Sequence, residues 1–440
     1  MEKKSHVQLE RSIALPSALA LVIGTVIGSG IFFKQASVLS YSNSTTLALL
    51  AWFFGGVLTL TSGLTIAEIG AQMPQTGGLY IYMHNLYGKV WGFLSGWMQI
   101  TVYGPAVIAA LGAYLAILLQ AFFGFPATYT PFVGVLAVVL ISVFNFLSNR
   151  YGATLQVITT LCKLIPIAAI IIFGLLFGDQ NAVGQVLAEQ SSTATGNFGV
   201  AILATLFAYD GWILIANMGG EIKNPQKILP LAIVLGLSLV LLIYVLVTYG
   251  IFKTMPADMI ARYGENATPH FAQMAFGEIG GKILNIGIII SIIGCMNGKV
   301  MTIPRIMFAM AKNNELPFSK QLAYVNKTMH TPIVSISVIA AIASFMILNF
   351  NADRLTEICI FTIYVFYVMT FIGIFKLRKQ KPNAKRPFSV PLYPLTPIVA
   401  ILGALFVLVS ELFSDLNGVL VSFVIVLCGL PIYYYKEKHK

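Results

Sequence analysis

Two short stretches carry most of the chemistry in this 440-residue chain. One is Gly24-Thr25-Val26-Ile27-Gly28-Ser29-Gly30, with three glycines inside an otherwise apolar run. The other is Phe207-Ala208-Tyr209-Asp210-Gly211-Trp212, which sets an acid and a glycine into a second apolar run. Each interior glycine costs a helix about 1 kcal/mol against alanine, so both stretches are predicted to unwind. Unwinding frees backbone N–H and C=O groups, and in hydrocarbon these persist only around a cavity or a partner. N–H groups that open a half-helix attract a carboxylate, and carbonyls that close the preceding half attract an ammonium. Two such breaks side by side suit the zwitterionic part of an amino acid, with Ser29 as an added hydroxyl donor. The competing explanation of Gly24-x-x-x-Gly28 is a helix-packing motif. Gly30 and the second break favour a site. The aromatics Phe207, Tyr209 and Trp212 weigh little by themselves, because 12% of the chain is aromatic.

Charges inside apolar runs are the next candidates. Lys163 lies in Leu161-Cys162-Lys163-Leu164-Ile165-Pro166. A lysine in mid-span costs about 2.5–3.5 kcal/mol to insert and must find acceptors. It either snorkels to an interface or tethers to carbonyls of the broken first helix, taking the place of a bound metal cation. Asp210 either caps the half-helix after the second break or tunes the charge of the site and handles protons. Glu68, Glu221, Lys299 and Arg305 lie nearer the ends of their runs. They form a gate of salt bridges or anchor at the interface, and anchoring is the expectation. Residues 74–87, with Gly77, Gly78 and three tyrosines, form an interfacial loop or part of a vestibule. Side-chain contacts to a ligand are expected near Tyr103–Ile108 and Ile360–Tyr364.

Enzymatic constellations are missing. The sequence has no histidine pair with metal-ligand spacing on a helix, no phosphate-binding Gly-Lys-Ser/Thr loop and no G-x-S-x-G elbow. The five histidines scatter over tails and loops. The four cysteines, Cys162, Cys295, Cys359 and Cys428, lie in apolar runs without paired spacing, which argues against disulfides and zinc. No cofactor and no metal are expected.

The elements that must position these residues follow from composition. Hydrophobic residues make up 58% of the chain and charged residues 10%, against roughly 45–50% and about 25% in a soluble domain. So much apolar surface cannot be hidden in one soluble globule. The class is an all-α polytopic membrane protein in a single domain over residues 1–440. A bilayer core takes about 20 apolar residues per helix. About twelve windows qualify: 13–37, 45–73, 91–122, 131–149, 154–177, 198–220, 229–252, 283–310, 332–348, 356–375, 394–413 and 419–435. The first is read as a retained span rather than a signal peptide, since it lacks a small-residue cleavage site.

An even number of spans puts both ends on one side. Nineteen Lys and Arg then share that side, including Lys3, Lys4, Lys327 and Lys440. Five face the other, namely Lys34, Lys253, Arg262, Lys282 and Arg354, while Lys163, Lys299 and Arg305 fall within spans. This asymmetry predicts cytoplasmic termini. The loops 179–197 and 411–418 carry acids and no Lys or Arg, as expected outside. The net charge of +11 thus reports topology, not nucleic-acid binding; the expected partners are the amino acid substrate and the lipid bilayer. Five spans separate the two broken helices, so the second half enters the membrane in the opposite direction, the pattern of an inverted-repeat transporter.

Taken together the motifs resemble those of the amino acid–polyamine–organocation transporters. The stretch from Gly24 to Gly30 followed by Ile31-Phe32 looks like their first-helix signature. The second break followed by Gly220-Glu221-Ile222-Lys223-Asn224-Pro225 resembles the L-type amino acid transporter branch, in particular bacterial serine/threonine and alanine–serine–cysteine exchangers. The similarity also covers Pro74-Gln75-Thr76-Gly77-Gly78-Leu79-Tyr80 and Arg386-Pro387-Phe388. It implies a five-plus-five inverted-repeat core with the first and sixth helices broken (1–178 and 197–380) and two accessory helices (390–440). It implies sodium-independent exchange of small neutral L-amino acids at a multi-pass cell membrane protein. Val26, Ile27, Gly28, Ser29 and Gly30, with Phe207 and Ala208, are then expected to cradle the substrate. Phe207 is the outer gate, Trp212 lines the pocket, Asp210 belongs to the site, and Lys163 stands where related symporters hold sodium. Eukaryotic relatives join a heavy chain through a cysteine after the third span. Residues 124–130 contain none, so no covalently linked heavy chain is expected. Rival expectations are proton-coupled symport, a non-transporting amino acid receptor on the same scaffold, and a membrane-embedded enzyme.

Overall fold

The computed structural model describes residues 11–187, 198–326, 328–414 and 416–438. The expectations placed on Lys3, Lys4, Lys327, Lys440 and the loop beyond residue 187 lie outside these, as do those on the side chains of Cys359 and Ile360. All regular structure among the described residues is helical. Nine helical segments there are long and apolar enough to cross a membrane, and Ile333–Asn349 and Leu395–Ser410 are shorter apolar helices. The chain is a multi-pass membrane protein. Large apolar side chains such as Phe132, Leu140, Leu176 and Phe413 are exposed on its flanks, a placement that suits lipid and not water.

Local chemistry explains where the helices start. Ser44 accepts a hydrogen bond from the Leu47 N–H at the head of the second span, Thr45–Gln72. Ser148 does the same for the Arg150 N–H at the head of the fifth, Asn149–Phe177. Proline occupies the first turn of the seventh span, Pro225–Thr254, where its missing N–H costs nothing. Close packing follows from small residues. Gly56, Gly63 and Gly70 recur one heptad apart on the second span. A methyl group on Gly56 would come within 2.7 Å of Leu241, and one on Gly70 within 2.8 Å of Leu229, both on the seventh span.

Three windows differ from expectation. The eighth span is longer than 283–310: it begins at Ala267, kinks at Gly277 (φ 70°) and runs to Thr302, with Pro304–Lys312 continuing it. The window 419–435 is two helices, Leu416–Leu427 and Gly429–Lys438. Within 74–87 lies a helix, Leu79–Tyr87, whose Leu79, Tyr80, Tyr82, Met83 and Leu86 are buried. It packs inward because Gly77 N–H donates to Asn217 O at 3.1 Å. Nearby, Ile13 N–H donates to Glu221 O (3.0 Å) and Lys223 N–H to Ile13 O (2.9 Å). These bonds fasten the start of the first span to the end of the sixth.

Candidate functional site

Both glycine-containing stretches leave the α-helix. Leu15–Val26 ends at Ile27 (φ −72°, ψ 97°), and helix resumes over Gly30–Phe33. Phe198–Ala208 ends before Gly211, at φ +111°, and the chain then forms a 3₁₀-helix, Trp212–Asn217. The downstream half of the second break is therefore tighter than the α-helix predicted from sequence. The two breaks touch through their glycines. A Cβ on Gly30 would lie 2.5 Å from Ala208 Cα, and one on Gly211 would lie 2.6 Å from Thr25 O. Tyr244, from the seventh span, brings its hydroxyl to the carbonyls of both breaks, 3.1 Å from Val26 O and 2.9 Å from Ala208 O.

Lys163 is fully buried. Its ammonium donates to Gly24 O (3.0 Å), Ile27 O (2.5 Å) and Ser291 O (3.2 Å). The first two carbonyls end the upstream half of the broken first helix, where the helix dipole is negative. The ammonium thus satisfies groups that unwinding left without partners and links the first span to the fifth and eighth.

Asp210 is also buried, but it does not cap a helix: Gly211 holds the capping position, without a side-chain bond. Instead its carboxylate accepts from the Tyr103 hydroxyl (3.0 Å to each oxygen) and pairs with Lys299 at 3.0 Å. Tyr103 reaches it from a π-helical turn, Gln99–Tyr103, within the third span. Such turns re-aim side chains and recur at functional sites.

A cavity of about 10 Å³ lies between the breaks, lined by Thr25, Val26, Gly28, Ser29, Gly30, Val107, Leu111, Phe207, Asp210, Cys295 and Lys299. That is room for about one water, too little for an amino acid. Its walls nevertheless offer donors. The Ser29 hydroxyl is buried with no partner among the described residues, and the backbone N–H groups of Gly28, Ser29 and Gly30 make no hydrogen bond there. Phe207 is half-buried at the rim, with the Lys34 ammonium 5.8 Å from its ring centre.

Most of the expected residues meet here. Val26, Gly28, Ser29, Gly30, Phe207 and Asp210 line the one cavity, Ile27 turns its carbonyl to Lys163, and Ala208 packs on Gly30. Trp212, expected to line the pocket, is not among the lining residues, and its ring lies 5.7 Å from that of Tyr367. Of the guessed contact stretches, Tyr103 and Val107 reach the site, while Tyr364 packs on Tyr367 at 5.2 Å.

The expectation of interfacial anchoring is corrected for four charges. Lys299 is buried on Asp210, as above. Arg305 and Glu221 are buried and paired at 3.2 Å, and Arg305 also donates to Met301 O. Glu68 is buried, takes two bonds from Arg378 (2.9 and 2.6 Å) and one from the Val390 N–H (2.7 Å). Buried charges must be paired, and here each partner lies on a different span or link. Sequence reasoning also missed Ser291 and Cys295. The signal was present: Ser291, Cys295 and Lys299 recur every four residues in an apolar helix, which puts them on one face. Along that face the Ser291 hydroxyl donates to Ile27 O and Gly28 O (3.4 Å each), the Cys295 thiol to Thr25 O (3.0 Å), and the Lys299 ammonium to Asp210.

Comparison with known proteins gives the family. A family model described as amino acid permease matches residues 13–433. The chain is 50% identical to the serine/threonine exchanger SteT of Bacillus subtilis (strain 168), over 98% of both chains. It is 29% identical to the human cystine/glutamate transporter, over 98% of this chain and 86% of that one. It is 32% identical to the large neutral amino acids transporter small subunit 2 of Mus musculus, over 97% and 81%. These relatives are named as transporters, not enzymes. With the match running from the first span to the last helix, the chain belongs to the amino acid permease family.

Proposed function

We propose that the protein is a sodium-independent exchanger of small neutral L-amino acids such as alanine, serine, threonine and cysteine, working by alternating access. The observation that carries this reading is the cross-braced pair of breaks: free donors at Gly28, Ser29 and Gly30 face one cavity, and the Lys163 ammonium already fills the carbonyl cage on the far side of the first break. The donors suit a substrate carboxylate. The carbonyl side of the second break, at Phe207 and Ala208, suits its ammonium. Val107, Leu111, Cys295 and the Lys299–Asp210 pair leave the side chain a short and partly polar space.

In this reading both termini are cytoplasmic, 1–178 and 197–380 form the inverted repeats, and 390–440 add the accessory helices. Phe207 is the outer gate, and no covalently linked heavy chain is needed. Opening requires the walls to part, since a cavity of this size does not hold an amino acid. Proton symport is the competing reading, and the engagement of Asp210 by Lys299 and Tyr103 weighs against a free proton carrier at the site. Reconstituted vesicles preloaded with unlabelled serine are expected to take up labelled serine much faster than empty ones. Equal uptake into both excludes obligatory exchange, and uptake driven by an imposed pH gradient favours symport.

A further inference from the structure

A second cavity, of about 590 Å³, opens on the face of the molecule where the first span begins. It lies between the start of that span, the junction of the fourth and fifth spans, and the link after Lys312. Arg11, Arg150, Lys223 and His330 line it, and no Asp or Glu among the described residues does. The side chains of Arg11, Arg150 and Lys223 are exposed and make no ion pair among the described residues. The positive end of the fifth span also opens here, at Ser148 and Arg150. Three unpaired cations beside a helix N-terminus repel one another unless an anion sits among them.

The cleft has an apolar continuation. Ile158 belongs to its wall and is 53% exposed. Leu161 (62%), Ile165 (70%) and Ile172 (55%) carry the same exposed face along the fifth span, away from the cleft. The spacing of three, four and seven residues keeps these side chains on one side of the helix. A free phosphate uses only the cations, whereas a phospholipid uses both the cations and the stripe.

We propose that this cleft binds an anionic phospholipid of the adjacent leaflet, its phosphate and headgroup among Arg11, Arg150 and Lys223 and its acyl chains along Ile158, Leu161 and Ile165. The occupant joins the start of the first span, held to residues 221–223 by the Ile13 bonds, to the start of the fifth. It therefore stabilises the packing of these two starts.

The test is binding of dioleoyl phosphatidylglycerol to the full chain in detergent, counted by native mass spectrometry and followed by thermal unfolding, with phosphatidylcholine as the neutral lipid. Phosphatidylglycerol is expected to be retained and to raise the unfolding midpoint. The variant Arg11→Gln/Arg150→Gln/Lys223→Gln is expected to bind about fivefold more weakly for each cation removed, and Arg150→Gln alone carries the same comparison should the triple variant not fold. A control variant, Lys379→Gln/Lys381→Gln/Lys385→Gln, is expected to bind as the parent does. Equal retention of the two lipids, equal loss in the control variant, or the same stabilisation by glycerol phosphate each overturns the proposal. The last outcome would assign the cleft to a soluble phosphate.

Discussion

Lys163 and Lys299 are two buried ammonium groups beside the same pair of broken helices, and they are balanced in opposite ways. Lys163 meets three backbone carbonyls, whereas Lys299 meets the carboxylate of Asp210. The first arrangement holds main chain: it fixes where the first helix unwinds and ties that point to the fifth and eighth spans. The second holds side chains: it sets a neutralised pair into the wall of the cavity. A tethered ammonium also differs from a metal ion in that it cannot leave with the substrate. Under the proposed function, the first lysine would bear on coupling and the second on selectivity.

The largest effect should come from breaking the ion pair. Asp210→Asn removes the carboxylate that pairs with the buried Lys299, and breaking such a buried pair costs about 3–5 kcal/mol. Thermal unfolding in detergent is expected to show that loss, and Asp210→Asn combined with Lys299→Met is expected to recover most of it. A double variant as unstable as the single one would mean that the two charges act separately.

Lys163→Ala comes next. It strips the ammonium from the Gly24 and Ile27 carbonyls at the first break, at about 1–3 kcal/mol for a buried group left unmet. If the transition between states needs the brace, exchange slows about five- to 150-fold. Unchanged exchange kinetics would reduce Lys163 to a packing residue and remove the contrast with Lys299.

The smallest effect is expected at the surface pair of Lys89 and Glu437, 3.0 Å apart with side chains 57% and 38% exposed. Water and salt screen such a pair. Lys89→Gln should leave both the unfolding midpoint and exchange where they were, and a clear loss at Lys89 would show that burial is not what separates strong from weak charges here.

Much of this is legible in the sequence, for a physical reason. Helix breaks in hydrocarbon are local events, so the glycines near positions 28 and 211 announce them without knowledge of neighbours. A lysine in the middle of an apolar run must turn inward, whatever the packing. Pairing is different, because it depends on which spans lie side by side. Glu221 with Arg305 and Glu68 with Arg378 are contacts between distant parts of the chain, and a single sequence gives each of these residues the same look as an interfacial anchor. The four-residue recurrence of Ser291, Cys295 and Lys299 shows that part of this was readable from helix periodicity. The 3₁₀ form of Trp212–Asn217, which goes with the turning of the Trp212 ring toward Tyr367, has no such local mark.

We propose that a protein ammonium, and not a transported cation, completes the first break. Exchange of labelled serine in preloaded vesicles, measured with sodium on both sides and then with sodium wholly replaced by N-methylglucamine, tests it most directly. The same initial rate is expected in both media, and a rate that collapses without sodium would mean that a transported cation is required.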